Sequence, residues 1–427
     1  MRVLLKDVAN VRISNVDKKS YDSEIPITLC NFTDVYYNWS ITEEKCKNLM
    51  QATAVSNEIE KFQIHMGDVA ITKDSETRYD IGISTYFDST IPKLLLGYHC
   101  ALIRPDNTFL CGAYLNALFN TAYAKKYFAY NASGSGQRYT LSLDCIQNFP
   151  IELPPMETQL RITNILGSID KKIEINKKKI EKLEAIARDI YDYWFVQYEF
   201  PDENGKPYKS NGGQLIWNEE LKREIPIGWK KGNIGLYCEL VRGVSYERDE
   251  VKESFCNSSV MLIKSNNIDS PHINFDDAIF VPQKNVATNQ CLKNGNIIIT
   301  MSSGSKNHMG KMGLFYHTIP CTFGAFCAKI SVINIDYYEY IVNSLFSERF
   351  KSHLNTQTSG TSINNISNDH ILSYSIELPE SNIVKKFHSI VGKYYEEICT
   401  LFLQNASLKS QKMMILPLLM NGQAKVF

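Results

Sequence analysis

The chain carries no excess charge of either sign: 46 lysines and arginines stand against 46 aspartates and glutamates in 427 residues. A protein that grips nucleic acid without regard to sequence neutralises phosphates with a strong positive field, so any contact with DNA has to be local or shared with partners. None of the eleven cysteines is spaced as C-x-x-C, and the nearest pair, Cys321 and Cys327, has five residues between its members. That excludes a zinc ribbon and offers no oxidised framework, so a reducing cytoplasm is the expected compartment. Among the eight histidines no two stand four apart around a glutamate, and metal hydrolysis has no support.

Longer patterns are missing too. No run of 18 uninterrupted apolar residues occurs, so no membrane span is expected, and the opening MRVLLKDVANVRIS, charged at Arg2 and Lys6, fails as a signal peptide. A nucleotide cradle would need G-x-x-x-x-G-K-[ST], or G-x-G-x-x-G after a strand; Gly134-Ser135-Gly136 lacks the third glycine. No Asn/Asp-Pro-Pro-aromatic tetrad, of the kind that holds a flipped base for methylation, is present. Pro201-Asp202 followed by Glu220-Leu221-Lys222 satisfies a loose nuclease pattern, but these residues lie in a polar stretch with Gly205, Gly212 and Gly213 and no apolar strand.

What is present is an ordinary globular composition, 44% hydrophobic and 11% aromatic, in a chain too long for one core. It is also internally repeated. Ile151-Glu152-Leu153-Pro154 returns 225 residues later as Ile376-Glu377-Leu378-Pro379, and Leu141, Ser142 and Ile146 return as Ile366, Ser367 and Ile371. Gly67-Asp68-Val69-Ala70-Ile71-Thr72 resembles Gly295-Asn296-Ile297-Ile298-Ile299-Thr300. Two copies of one mixed α/β (α+β) globule are therefore expected, each followed by a segment of different periodicity. Strands are predicted at Asp68 to Thr72, His99 to Arg104, Val260 to Lys264, Asn296 to Met301 and Phe326 to Ile333, and helices at Tyr114 to Tyr130 and Tyr337 to His353.

After Pro154-Pro155 the apolar residues step by four and three: Ile162, Leu166, Ile169, Ile173, then Asn176, then Ile180, Leu183, Ala187, Ile190 and Trp194. This is a heptad seam on a helix from Glu157 to Val196, about 60 Å long at ~1.5 Å per residue. The same offset gives Phe387, Val391, Tyr394, Ile398, Leu401, Asn405, Leu408, Lys412, Ile415 and Leu419, with Pro417 expected to disturb the last turn. Numbered along each seam, Asn176 is fifth and Asn405 sixth. A symmetric antiparallel pairing brings the two amides together, whereas a parallel one sets each against an aliphatic residue, at about 1 to 3 kcal/mol. An antiparallel intramolecular coiled coil is the expectation. Lys171, Lys172, Lys177, Lys178, Lys179 and Lys182, interspersed with Glu174, Glu181 and Glu184, read as its solvated face. Phe200 to Trp229, rich in Pro, Gly and Asn, reads as an exposed linker.

Two globules that each end in a Gly/Ser/Thr loop (Ser133-Gly134-Ser135-Gly136-Gln137-Arg138; Thr358-Ser359-Gly360-Thr361-Ser362), then I-E-L-P and a long helix, resemble the specificity subunit of type I restriction-modification systems. Ile165 to Val196 and the following Phe200-Pro201-Asp202-Glu203-Asn204-Gly205-Lys206-Pro207 are similar to the central conserved region of that family. The resemblance implies target recognition domains at 1–155 and 230–379, a central helix at 156–200, a linker at 201–229 and a C-terminal helix at 380–427. It implies a DNA-reading subunit without catalysis or cofactor of its own. Two modification subunits would carry S-adenosylmethionine and methylate adenine, and restriction subunits would use ATP and Mg. A recognition subunit of a related methylation-based defence system, or a coiled-coil adaptor that binds no DNA, are the other readings. Candidate DNA contacts, chosen as donors and hydroxyls on loops beside predicted strands, are Lys73, Arg78, Tyr79, Gln137 and Arg138 in the first copy. In the second they are Arg242, Ser303, Lys306, Asn307, His308 and Asn364.

Overall fold

The computed structural model describes residues 2–134, 136–252, 255–275, 278–304, 308–358 and 365–424. The chain divides into two compact units, Met1–Lys172 with Leu408–Phe427, and Ile173–Ser407, so the division falls within both long helices.

In the first unit a five-stranded sheet runs in the order Ala9–Ile13, Cys100–Pro105, Val69–Thr72, Ser84–Phe87, Ser40–Ile41, antiparallel except for the last pairing. A second sheet sets Ile25–Cys30 between Met50–Ala54 and Leu94–Leu96. Val69–Thr72 is buried at every position because both of its faces are covered. Val69 and Ile71 point into one core with Leu115 and Phe119, while Ala70 joins Cys100 and Leu102 in another. A continuous apolar run in place of alternation is the sequence mark of that situation.

The second unit repeats the order: Cys238–Arg242, Cys327–Val332, Ile297–Thr300, Met312–Leu314, with Ser259–Ile263 between Ile279–Pro282 and Cys321–Phe323. Ile297 and Ile299 again face one core and Ile298 another. Each repeated globule also joins its opening strand to the strand before the long helix that follows it, Arg2–Leu4 to Pro150–Glu152 and Lys230–Asn233 to Ser375–Leu378.

Three expectations need correction. The helix predicted at Tyr114 to Tyr130 is two, Gly112–Phe119 and Ala122–Asn131, because the Thr121 hydroxyl accepts from Ala124 N and caps a fresh start. Tyr337 to His353 likewise divides into Tyr338–Leu345 and Glu348–Thr358, with the Ser347 hydroxyl accepting from Phe350 N. The expected exposed linker is exposed along most of its length but anchored in the core: Phe200, Ile225 and Trp229 are buried, Phe200 stacks on Trp229 at 5.2 Å, and Leu215–Asn218 pairs with Arg223–Pro226. Glycine and proline marked its turns correctly, but Phe200 and Trp229 belong to the core. Within it Arg223 pairs with buried Glu377, whose carboxylate also accepts from the Tyr198 hydroxyl at 3.0 Å.

The long helices run Met156–Tyr191, continued by a wider turn at Asp192–Val196, and Ser381–Met420, which passes through Pro417 without ending. They are antiparallel. In the second unit Asn176 Nδ2 donates to Asn405 Oδ1 at 2.9 Å and to Gln404 Oε1 at 2.7 Å, and Trp194 meets Phe387 at 5.7 Å. In the first unit Ile162 and Leu166 share a core with Leu416 and Leu419. Near its start each helix is tied to the globule before it by polar contacts that include a buried side chain. Gln159 accepts from Cys111 N and donates to Phe109 O and Pro154 O, and His388 meets Glu339 at 2.6 Å. No helix of the described residues is long and apolar enough to cross a membrane.

Candidate nucleic-acid interface

Sheet register brings the candidates of the first unit together. The strand Asp74–Ser75 continues the central strand after Thr72 and pairs with Tyr139–Thr140, which pairs in turn with Ser133–Gly134. Lys73 and the 76–81 loop therefore lie beside residues 136–138, although more than fifty residues of chain separate them. Gly134, at φ +154, has Arg138 O where a Cβ would sit, so only glycine allows this hairpin its close approach.

At the centre is Asp74. Its carboxylate accepts from Lys73 Nζ at 2.8 Å and from Thr140 Oγ1 at 2.8 Å, and lies 2.7 Å from His99 Nδ1. Burial acts to raise its pKa, but these hydrogen bonds outweigh burial and bring it down to about 2. Arg138 Nη2 stands 3.2 Å from the same His99 nitrogen and 3.4 Å from Asp74, while most of its side chain stays exposed. Arg78 lies over the Tyr139 ring at 5.1 Å, and Tyr79 is exposed. Gln137, Arg138, His99 and Asp74 line a cleft of about 600 Å³ together with Phe32, Tyr36 and Tyr37. Asp80 also lines it and accepts from the Tyr36 hydroxyl at 2.7 Å. A lining that combines donors, aromatic rings and carboxylates offers hydrogen bonds of both senses, which is what base edges require. Asp74, His99, Tyr36 and Asp80 were missed from sequence. The buried acid stands two residues after a fully buried strand, and that position was its one signal.

In the second unit Arg242 ends its strand with Nε donating to Asn368 Oδ1 at 2.9 Å and Nη2 to Ile366 O at 3.0 Å. Among the described residues it meets no carboxylate, and burial lowers its pKa. Ile366 N donates to Met301 O, so Arg242 lies at the same end of the sheet as the loop after Ile297–Thr300, which carries Ser303 and His308. Lys306, Asn307 and Asn364 lie outside the described residues. Asp202, Glu220 and Lys222 do not assemble as nuclease ligands. Asp202 accepts from Asn204 N and Lys206 N in its own turn, while Glu220 pairs with Lys231 and Lys222 with Glu219. Among the described residues no three His, Cys, Asp or Glu side chains are grouped as metal ligands.

Residues 2–185 match the family model of the type I restriction modification DNA specificity domain. The chain is thus similar to type I restriction-modification specificity subunits. The EcoKI specificity subunit of Escherichia coli (strain K12) is 29% identical over 143 residues, 34% of this chain and 31% of that one. The MjaIX specificity subunit of Methanocaldococcus jannaschii is 25% identical over 316 residues, 73% of this chain and 69% of that one. The match thus spans about a third of the EcoKI subunit's length. The crystal structure of a type I restriction-modification S subunit from M. genitalium has a TM-score of 0.50 at 14% identity, covering 98% of this chain and 95% of that one. That likeness shows a shared fold. In this shared fold the cleft around Asp74 and the Arg242 end of the second sheet occupy matching ends of the two repeats.

Proposed function

We propose that this chain is the non-catalytic DNA-recognition subunit of a cytoplasmic type I restriction-modification complex. Each unit reads one block of an asymmetric bipartite site in double-stranded DNA. Two modification subunits carrying S-adenosylmethionine methylate adenine at that site, and restriction subunits using ATP and Mg cleave DNA when the site is unmethylated. The observation that supports this reading most is the doubled unit: one topology occurs twice, with unlike side chains on the matching loops, and an antiparallel helical pair links the copies. Two unlike readers on one frame read two unlike blocks. A chain without net charge also suits a reader whose partners supply much of the phosphate contact.

The DNA contacts of the first unit are proposed at Arg138, Gln137, Arg78, Tyr79 and Lys73, with Arg138 the principal base-reading group. Those of the second are proposed at Arg242, Ser303 and His308, and at Lys306, Asn307 and Asn364. The test is selection from a randomised duplex library by the full chain together with its methyltransferase partner. Two short conserved blocks separated by a fixed gap are expected, and Arg138→Ala relaxes the preference in one block only. Enrichment of no sequence overturns the proposal and leaves the adaptor role in its place.

A further inference from the structure

The repeat is close enough to match single residues in the turn before the central antiparallel strand of each sheet. In the first unit this turn is Gly97-Tyr98-His99-Cys100, and in the second it is Gly324-Ala325-Phe326-Cys327. The backbone bonds coincide. Gly97 N donates to Cys30 O at 2.8 Å and Gly324 N to Ile263 O at 2.9 Å; Cys100 N closes the first turn on Gly97 O and Cys327 N the second on Gly324 O. Val16 and Val244 make matching parallel bridges to Gly97 and Gly324. His99 O accepts from Lys73 N at 3.0 Å, and Phe326 O from Met301 N at 2.8 Å and Ser302 N at 3.2 Å. Phe326 is therefore the counterpart of His99.

Their rings meet different surroundings. The His99 imidazole is engaged by Asp74, Arg138 and the Tyr98 ring. The Phe326 side chain is exposed, at 67%, and the aromatic contacts among the described residues do not include it. The turn beneath it is nevertheless packed backbone to backbone: a Cβ on Gly243 would fall 2.1 Å from Gly324 O. A large apolar ring held out on such a turn, at the position where its twin carries a polar group beside Arg138, has neither donor nor acceptor to offer a base. In the major groove the apolar feature open to such a ring is the C5 methyl of thymine.

We propose that Phe326 is a specificity-determining residue of the second unit that contacts a thymine methyl group, with the duplex as occupant of this exposed surface. The inference rests on the proposed DNA-reading function and assigns a base feature to one side chain. The full chain with its methyltransferase partner is first used to select its site, and each thymine of both blocks is then replaced in turn by uracil, which lacks only the methyl. At one thymine at least, within one block, the wild-type chain should lose about fourfold in affinity, the value of one buried methyl-sized group. Phe326→Ala should bind the thymine and uracil duplexes alike at that position, and Phe326→Leu should keep part of the difference. Unchanged recognition of the other block shows that the variants fold. Selected blocks in which no thymine depends on Phe326 overturn this inference and leave the DNA-reading function standing, whereas selection of no sequence overturns both. A wild-type chain indifferent to uracil, with Phe326→Ala weaker on every sequence, points to a wedge between base steps and also overturns it.

Discussion

Lys412 stands at a heptad position that favours an apolar side chain, and its side chain is only 12% exposed. Burial pushes its ammonium down to about 8, against the pull of Asp170, which accepts from Nζ at 2.7 and 2.8 Å. The Trp39 ring lies beneath the same nitrogen, 3.3 Å from ring centre to Nζ. Because the folded-state value lies below that of free lysine, the stability contributed by the neutral amine is full above about pH 10 and is lost as pH falls through 8. Asp170→Asn leaves a buried cation with less compensation and should cost about 2 kcal/mol at pH 7. Above about pH 10 the amine is neutral and the loss should nearly vanish. Thermal melts of both proteins at pH 7 and pH 10 check this, and an equal loss at the two pH values would refute it. Sequence showed that Lys412 breaks the seam but not what compensates for it. Asp170 is one residue off the facing seam position Ile169, and Trp39 comes from a loop more than a hundred residues away.

At the scale of the helices, the buried amide pair sets register. Asn176 and Asn405 are 1% and 8% exposed and bond to each other. Asn176→Leu should cost about 1 to 3 kcal/mol by leaving Asn405 without its partner in an apolar seam, and Asn405→Leu should do the same to Asn176. The double variant should recover most of the loss, because two leucines fill the gap and no amide is stranded. Chemical denaturation of the two single variants and the double variant reads the coupling; additive losses would show that the pair does not act as a unit. This pairing was legible from spacing alone, since heptad position is a one-dimensional property. The central strands were legible for a similar reason, as uninterrupted apolar runs such as Ile297–Thr300. The breaks at Thr121 and Ser347 were not, because a capping hydroxyl inside an apolar periodicity looks like any other small polar residue. The anchoring of the segment around Phe200 and Trp229 was missed because turn residues dominate its composition while two aromatics hold it to the core.

At the scale of the whole chain, the repeat of 225 residues announced two copies of one topology, and both sheets follow the same strand order. The candidate site was legible only in part. Donors on loops could be named from sequence, but the acid that organises them could not, because Asp74 acquires its partners through pairing with a strand more than sixty residues away. The proposed function makes helix length, rather than the surface of either unit, the determinant of the gap between the two DNA blocks. Removing seven residues from each helix, 173–179 and 402–408, deletes two helical turns from facing stretches and takes out Asn176 and Asn405 together, so the seam keeps its face and strands no amide. Seven residues rise ~10 Å, and base pairs are spaced by ~3.4 Å, so the gap should change by about three base pairs while both blocks keep their sequence. Mapping methylated adenines in DNA exposed to the shortened chain and its methyltransferase partner reads the gap directly. An unaltered gap, or a changed sequence in either block, would show that the helices do not set the spacing.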